Sequence, residues 1–350
     1  MSYIFRPDAV ITLDGRPFSA AEAALIGLDL QLGLGDLGEA RLLFWPRSKL
    51  ASAVTGAKLE LALGTQDEKA TVFTGAVEQV AHGPASLTIE ALEPTAALHR
   101  KFISRTFLNQ TVEAIVRDLA DPVTVAAADS GLELGQYGVE NRRSVWWHLR
   151  DLARLAGCDL CATAAGELLL RPRGRGEPRT LRYGADMLAF SEGERVAPEA
   201  QAIAPHGSAS TAGTDRWHWV NPDPLGQNPD PARVRGPIVS EAAATTASDA
   251  AKARSAARAK CGRVVVWGRP EVRPGDGIDL QNLPGSDDGG LLAAAASAAA
   301  AVLGGGGGGP AWRAVRVRHV LDGARGFVSV LELEGGEAAA AGGGLLGGLA

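Results

Sequence analysis

TVEAIVRDLADP (111–122) and SVWWHLRDLARLAG (144–157) are the two segments that decide the fold, because each predicts one amphipathic helix. The first segment places apolar residues at the i, i+3, i+4 and i+7 positions of one helix face, and Pro122 ends it. The second begins at Ser144, a suitable N-cap residue, and ends at Gly157, which suits the position after the C-cap. The two predicted apolar stripes are Val112, Ile115, Val116 and Leu119, and Val145, Leu149, Leu152 and Ala156.

A short hairpin is predicted directly after the second helix. CDLCAT (158–163) and ELLLRPR (167–173) are extended runs joined by a turn at Ala165-Gly166. The region from 107 to 173 therefore predicts a helix, an extended arm, a second helix and a hairpin, and it contains no catalytic motif.

The region from residue 1 to about residue 100 is rich in predicted strands. Asp14-Gly15 lies between two extended runs, which is typical of a β-hairpin turn. LIGLDLQLGL (25–34) alternates leucines with other residues, which gives one face of a sheet an apolar surface. About six or seven short antiparallel strands at hairpin spacing favour a barrel or a sandwich.

The rest of the chain predicts irregular sequence, then a helix and more strands. Residues 180–240 are irregular and end in a Pro/Asn-rich arm (221–237), which predicts an extended loop. TTASDAAKARSAARAKCG (245–262) predicts a helix ending at Gly262. Extended runs follow, separated by turns at Arg273–Asp276 and at Asp322-Gly323.

Four segments, taken in order, resemble the late-control protein D family of phage baseplate hubs. They are TVFTGAVEQVAHGPASLTIEALEPTAALHR (71–100), the helical region (107–173), GRPEVRPGDGIDL (268–280) and WRAVRVRHVLDGARGFVSVLELEG (312–335). The resemblance covers about residues 70–335, and related trunks occur in the spikes of type VI secretion. It implies a mainly β (α+β) fold, with two related β-barrel domains and a small helix–helix–hairpin α/β insert.

The expected domain organisation has five parts. They are a first β-barrel (1–100), the α/β insert module (101–180), a connecting segment (181–240), a helix with a second β-barrel (241–336) and a low-complexity tail (337–350). Within the fourth part, an Ala/Gly-rich insert (285–310) stands where the family has a shorter connection, and its composition favours a flexible linker.

The resemblance implies a structural role in a contractile phage tail. Three copies would form a pseudo-six-fold ring that adapts the six-fold tail tube to the central spike. The implied partners are the chain itself as a homotrimer, the tail tube protein, a spike protein, and baseplate wedge or neighbouring tail proteins. No spike domain follows the second predicted barrel, so we expect the spike to be a separate chain. The implied location is the virion tail baseplate, or an injection particle, after assembly in the bacterial cytoplasm.

Three other functions predict features that can be looked for in the same residues. A hub of a bacterial extracellular contractile injection system or tailocin would show the same patterns. A baseplate-borne peptidoglycan hydrolase would need paired carboxylates or a Cys/His pair, and no such motif is present, so we predict no enzyme and no cofactor. A carbohydrate-binding module would be expected to expose aromatic residues on loops, but these make up only 5% of the chain.

Composition limits the partners and the compartment. The net charge of −5 is not typical of a nucleic-acid-binding protein. We therefore expect contact with nucleic acid at most as it passes through the lumen of the ring. Three cysteines form an odd set, which favours a reducing cytoplasm. The N-terminus lacks the basic and apolar parts of a signal peptide. The longest apolar run (291–303) is too short and alanine-rich to span a bilayer, so no membrane partner is expected.

The candidate chemistry of the chain is sparse. Cys158 and Cys161 form half of a zinc or redox motif, but no second pair follows, and they come after a helix C-terminus instead of opening a helix. We expect them to pack as small residues of the hairpin, and Cys261 to be a lone thiol. The histidines have no partners at ligand spacing, and His319 is expected to pack or to make a polar contact on a strand. We therefore predict no metal site.

Two groups in the helical region are candidate partner-binding residues. Trp146 and Trp147 are adjacent on a helix and about 100° apart, so both cannot point into one small core, and one is expected at a subunit contact. Arg171, Arg173 and Arg175 belong to a local concentration of positive charge. That cluster is either a solvated loop or a contact with an acidic neighbour or with nucleic acid in the lumen.

The third candidate group lies in the C-terminal tail. Leu345, Leu346 and Leu349 are the sizeable apolar residues of the stretch 337–350. We expect them to anchor the tail on the spike chain or on an adjacent copy, because the glycines beside them permit close backbone approach.

Overall fold

The computed structural model describes residues 7–195, 203–206, 232–235, 241–283 and 312–336 of the 350-residue chain. This described part is mainly β, and strands from both ends of it form one 13-stranded, largely antiparallel sheet. Three apolar cores lie in it, one in the N-terminal strands, one in the helical region and one in the C-terminal strands. None of the helices in this part is both long enough and apolar enough to cross a membrane.

The first block contains seven antiparallel strands, in the order β3-β4-β7-β6-β5-β1-β2. Asp14 and Gly15 both have positive φ angles, as the predicted tight turn between β1 and β2 requires. Leu28, Leu30 and Leu32 are buried on one face, so the predicted alternation is confirmed. The strands are β1 (Pro7–Leu13), β2 (Arg16–Ser19), β3 (Leu25–Gly33), β4 (Glu39–Phe44), β5 (Lys58–Thr65), β6 (Lys69–His82) and β7 (Leu87–Leu92).

The helical module follows the first block and confirms the pattern predicted for it. Both predicted stripes are buried, and Gly157 after the second long helix has a φ of +67°. Thr111 caps the first of these helices, because its side chain accepts a hydrogen bond from the backbone of Ala114. The elements are α1 (Ala96–Arg100), β8 (Arg105–Thr111), α2 (Val112–Ala120), β9 (Val125–Ala128), β10 (Glu133–Val139), α3 (Val145–Leu155), β11 (Cys158–Ala162) and β12 (Leu168–Pro172).

The second block is built on the strand order β14-β17-β20-β19, with β13 and β18 attached beside β19. Its long helix packs two alanines, Ala243 and Ala247, into the core of the helical module. The elements are β13 (Pro178–Arg182), β14 (Met187–Glu194), β15 (Ile203–His206), β16 (Ala232–Arg235), α4 (Glu241–Ala259), β17 (Lys260–Trp267), β18 (Gly277–Gln281), β19 (Trp312–Asp322) and β20 (Gly326–Gly335).

The two blocks share one sheet through the pairing of β19 with β3, which runs from Arg316↔Gly33 to Asp322↔Gly27. On the solvent side, Arg318 forms a two-pronged ion pair with Asp29 across this seam. The strand pairings in the described ranges form an open path instead of closed rings. The mainly β fold with a helix–helix–hairpin insert is thus confirmed, whereas the division into two barrels stays a prediction.

Four local expectations were wrong. Met187–Glu194 and Ile203–His206, both expected to be irregular, are strands that pair with β17 and β16. Ala232–Arg235, expected in a loop, is the strand that pairs with β15. The helix expected to end at Gly262 ends at Ala259, and Gly262 lies in β17 against the ring of Trp312. Hydrogen bonds to strands distant in sequence outweigh the local propensity in each case. Most of the arm and the insert 285–310 lie outside the described residues.

Candidate functional site

Trp146 and Trp147 point to different surroundings, as their angular separation on α3 predicts. Trp146 is 1% exposed, stacks on His99 with ring centroids 4.8 Å apart, and donates its indole N–H to the carbonyl oxygen of Gly35 at 3.1 Å. Trp147 is 49% exposed, and the guanidinium of Arg150 lies 4.9 Å from its ring centroid. Trp146 therefore joins the module to the first block, while about half of the Trp147 side chain is exposed.

The loop between β3 and β4 is held between α3 and β11. Gly35 accepts from Trp146 and donates its backbone N–H to the carbonyl oxygen of Leu160 at 2.6 Å. Two features favour glycine at position 35. Its φ is +67°, and a Cβ atom there would lie 3.3 Å from the Arg150 side chain. This loop is the first contact of a three-way junction between the first block, the helical module and the second block.

Arg273 is the second contact of the three-way junction. It lies in the turn before β18 and donates to the carbonyl oxygens of Val72 in the first block and Ala162 in the module. Nearby, Glu93 is buried and accepts a hydrogen bond from the backbone of Gly38 at 2.9 Å. Burial raises the pKa of Glu93 to about 7, although the Gly38 N–H and the charge of Arg273 act in the opposite direction.

A buried ion cluster is the third contact. Arg313 of β19 lies between Asp159 of the module, at 2.5 Å, and Glu334 of β20. The side chains of Arg313 and Asp159 are 7% and 5% exposed. Burial alone would lower the pKa of Arg313, but the charges of Asp159 and Glu334 outweigh it and raise the pKa. This cluster was not predicted from the sequence, although the opposite charges at the two ends of a predicted hairpin were a signal for Arg313 and Glu334.

The arginines expected in a solvated loop belong in part to the same junction. Arg171 lies 3.7 Å from Asp276 of the second block, and Arg173 lies 2.9 Å from Glu334. Both side chains are less than one fifth exposed. The solvated-loop interpretation is therefore wrong for these two residues, whose acidic neighbours lie within the chain. Arg175 is exposed, and no ion pair reaches it from the described residues.

The cysteines and His319 show the environments of packed residues. Burial raises the pKa of both Cys158 and Cys161 to about 12, which disfavours the reactive thiolate. His319 is fully buried and contacts Ser329 Oγ through Nδ1 at 2.8 Å, so the predicted polar contact on a strand is confirmed. Burial lowers the pKa of His319 to about 3. Among the described residues, no group of three His, Cys, Asp or Glu side chains could hold a metal ion.

A large cleft opens beside the three-way junction. It lies between α3, α4 and the sheet formed by β17, β20 and β19, and its volume is about 1290 Å³. Arg313 and Glu334 of the ion cluster lie in its wall. The candidate tail residues Leu345, Leu346 and Leu349 lie outside the described residues.

The comparisons with known proteins identify the fold. No protein-family model and no curated protein sequence matches the chain. A tail protein from Neisseria meningitidis superposes with a TM-score of 0.65 at 14% identity, over 95% of this chain and 97% of that one. The 43 kDa tail protein of prophage MuSo2 from Shewanella oneidensis gives 0.62 at 15% identity, over 93% and 98%.

A third similar structure comes from a secretion system. It is an E. coli type VI secretion component described as structurally similar to the bacteriophage T4 tail proteins gp27 and gp5. Its TM-score is 0.56 at 10% identity, over 90% of this chain and 74% of that one. The chain therefore has the fold that these tail proteins share with a type VI secretion component, in agreement with the family that its sequence resembles.

Proposed function

We propose that this chain is a structural baseplate hub of a contractile phage tail, a trimeric adaptor between the six-fold tail tube and the central spike. The observation that carries the proposal is the tail-protein fold over nearly the whole chain, at 93% and 95% coverage in the two tail-protein comparisons. The fold alone does not name the partners. They follow from the sequence resemblance, which covers about residues 70–335 and so includes the end of the first block, the insert and the second block.

The three-way junction supports a mechanical role. The β19–β3 seam makes one sheet of both blocks, and the module is fixed to both by Trp146, Arg273 and Arg313. Buried, hydrogen-bonded contacts of this kind resist relative motion better than exposed ones, because breaking them leaves desolvated charges without partners. An adaptor under load requires that stiffness.

Within this proposal, each block is one β-barrel, and three copies present six similar platforms to the tube. The exposed Trp147 and Arg175 are the candidate contacts to neighbouring subunits. The subunit contacts also depend indirectly on Trp146, Arg171 and Arg173. Their contacts within the chain support the surface that carries Trp147 and Arg175. Leu345, Leu346 and Leu349 are proposed to hold the spike chain, so deletion of residues 341–350 should weaken spike retention and leave the folded blocks intact.

The decisive experiment is an electron cryo-microscopy map of the purified particle together with its mass. The proposal expects three copies of the chain in a ring, with one face on the last tube ring and the other on the spike. Six copies, or two blocks of different topology in the map, would contradict it. A particle that lacks a genome but keeps the ring would favour the hub of a bacterial injection system. A stable monomer that cleaves peptidoglycan would favour the hydrolase.

A further inference from the structure

The cleft beside the three-way junction carries an excess of positive charge. Among the described residues that line it, ten are arginine or lysine and six are aspartate or glutamate. The chain as a whole has a net charge of −5, so this excess is local and opposite in sign to the rest of the molecule. Charge of one sign concentrated in a concave surface raises the local concentration of oppositely charged groups.

Several of these cations are not neutralised within the described residues. Arg258 and Arg263 are exposed, and no carboxylate lies within ion-pair distance of either in the described ranges. Lys260 lies over the ring of Trp312, with its ammonium 4.4 Å from the ring centroid. These three residues line one side of the cleft at the end of α4 and the start of β17.

Arg254 shows that the positive charges repel one another inside the cleft. Its guanidinium donates to the main-chain carbonyl of Arg154, at the C-terminal end of α3. Its pKa is lowered to about 10, chiefly by burial and then by the positive charges of Arg154, Arg258 and Arg173, with Glu334 acting in the opposite direction. Like charges gathered at partly buried positions cost stability, and an anion bound in the cleft would relieve that cost.

We propose that this cleft binds an acidic peptide segment of a partner protein. The volume of about 1290 Å³ exceeds the roughly 300–1,000 Å³ typical of small-molecule sites, so a stretch of polypeptide fits better than a metabolite. Ala250 and Ala253 of α4 line the cleft, and their small, partly exposed side chains leave room for a peptide backbone to approach. The surrounding arginines are suited to carboxylates, which they bind through two parallel hydrogen bonds.

Peptide is favoured over nucleic acid by what else lines the cleft. Single-stranded nucleic acid binds on aromatic platforms that stack its bases, and none of the described lining residues is aromatic. The carboxylates interspersed in the wall, such as Glu332 and Asp249, would also repel a continuous phosphate backbone. A peptide can place its own acidic residues opposite the arginines and keep neutral residues opposite these carboxylates.

Fluorescence anisotropy on the full chain tests the proposal, with a labelled ten-residue glutamate peptide as the probe. We expect saturable binding at 50 mM salt that weakens strongly at 300 mM salt, because salt screens exposed charges. The double variant Arg258→Ala/Arg263→Ala should weaken binding on the order of tenfold. A ten-residue glutamine peptide should not bind measurably.

The matched control is Arg47→Ala/Arg142→Ala, which removes the same net charge from exposed positions outside the cleft. It should bind the glutamate peptide as the unmodified chain does. If both double variants lost the same affinity for the glutamate peptide, net charge alone would explain the binding, and the cleft would not be the site. The absence of glutamate-peptide binding would overturn the proposal outright, and so would tighter binding of a ten-residue oligothymidylate. Circular dichroism of both variants checks that they fold.

Discussion

Asp159→Asn tests whether the buried ion cluster holds the module to the second block. The substitution keeps the size of the side chain and one oxygen that can accept a hydrogen bond, but it removes the charge that faces Arg313 at 2.5 Å. Both side chains are almost fully buried, at 5% and 7% exposure, so water cannot replace the lost partner. In the variant, the guanidinium of Arg313 retains its ion pair with Glu334 but loses the one with Asp159.

The magnitude follows from the burial of the pair. Loss of one partner from a buried ion pair commonly costs roughly 3–5 kcal/mol, because the remaining charge stays desolvated. Since Glu334 still faces Arg313 and asparagine retains an acceptor, we expect about 3 kcal/mol, the lower end of that range. The free energy of unfolding, from urea titration followed by tryptophan fluorescence, measures it, because Trp312 is next to Arg313 in the chain.

Asp151→Asn is the matched control. Asp151 lies 3.4 Å from Arg143, but these side chains are 37% and 57% exposed, so the same substitution should change the free energy of unfolding by less than about 1 kcal/mol. If the two variants lost the same stability, burial would not set the strength of the ion cluster, and the cluster would not stiffen the three-way junction.

The remaining predictions address the module, the buried carboxyl and the exposed tryptophan. Leu152→Asp should unfold the module and prevent assembly, because an unpaired carboxylate in its core costs several kcal/mol, whereas Arg175→Ala should leave the melting temperature unchanged; equal melting of both would contradict the stripe. Burial raises the pKa of Glu93 from 4.5 to about 7 in the folded protein. As the pH rises, this carboxyl therefore ionises first in the unfolded protein. The free energy of unfolding should fall between about pH 4.5 and pH 7, by roughly 3 kcal/mol. Glu93→Gln should abolish that fall in pH-dependent unfolding, and a fall of the same size in the variant would assign it to other groups. Trp147→Ala should leave the free energy of unfolding within about 1 kcal/mol but reduce ring formation measured by native mass spectrometry, and normal rings would remove Trp147 from the interface.

The sequence was sufficient for the elements whose signals are local. The stripes of α2 and α3, the turn at Asp14-Gly15 and the alternating leucines of β3 each follow from the period of a helix or a strand, and the structure shows them as predicted. The order of those elements also carried the resemblance to a family of tail hubs, and hence the fold.

Sequence patterns failed where a segment depends on a distant partner. Met187–Glu194 has no clear alternation, yet it is a strand because β17 offers it a free edge. Ala259 ends α4 three residues before the glycine that would suit a helix end, because Lys260–Trp267 pairs as β17 with β14 and β20. Hydrogen bonding across a sheet is nonlocal, so local propensity cannot report it.

The candidate site was even less accessible from sequence, because its charges come together only through the fold. Arg171 and Arg173 were visible as a basic cluster, but their carboxylate partners Asp276 and Glu334 lie more than 100 positions away. The sequence thus determined α2, α3, the hairpins with local turn signals and the kind of protein to which the chain is similar. Tertiary structure alone decided which charges are buried against each other and which remain exposed in the cleft, because burial and pairing depend on distances in space that a linear pattern does not contain.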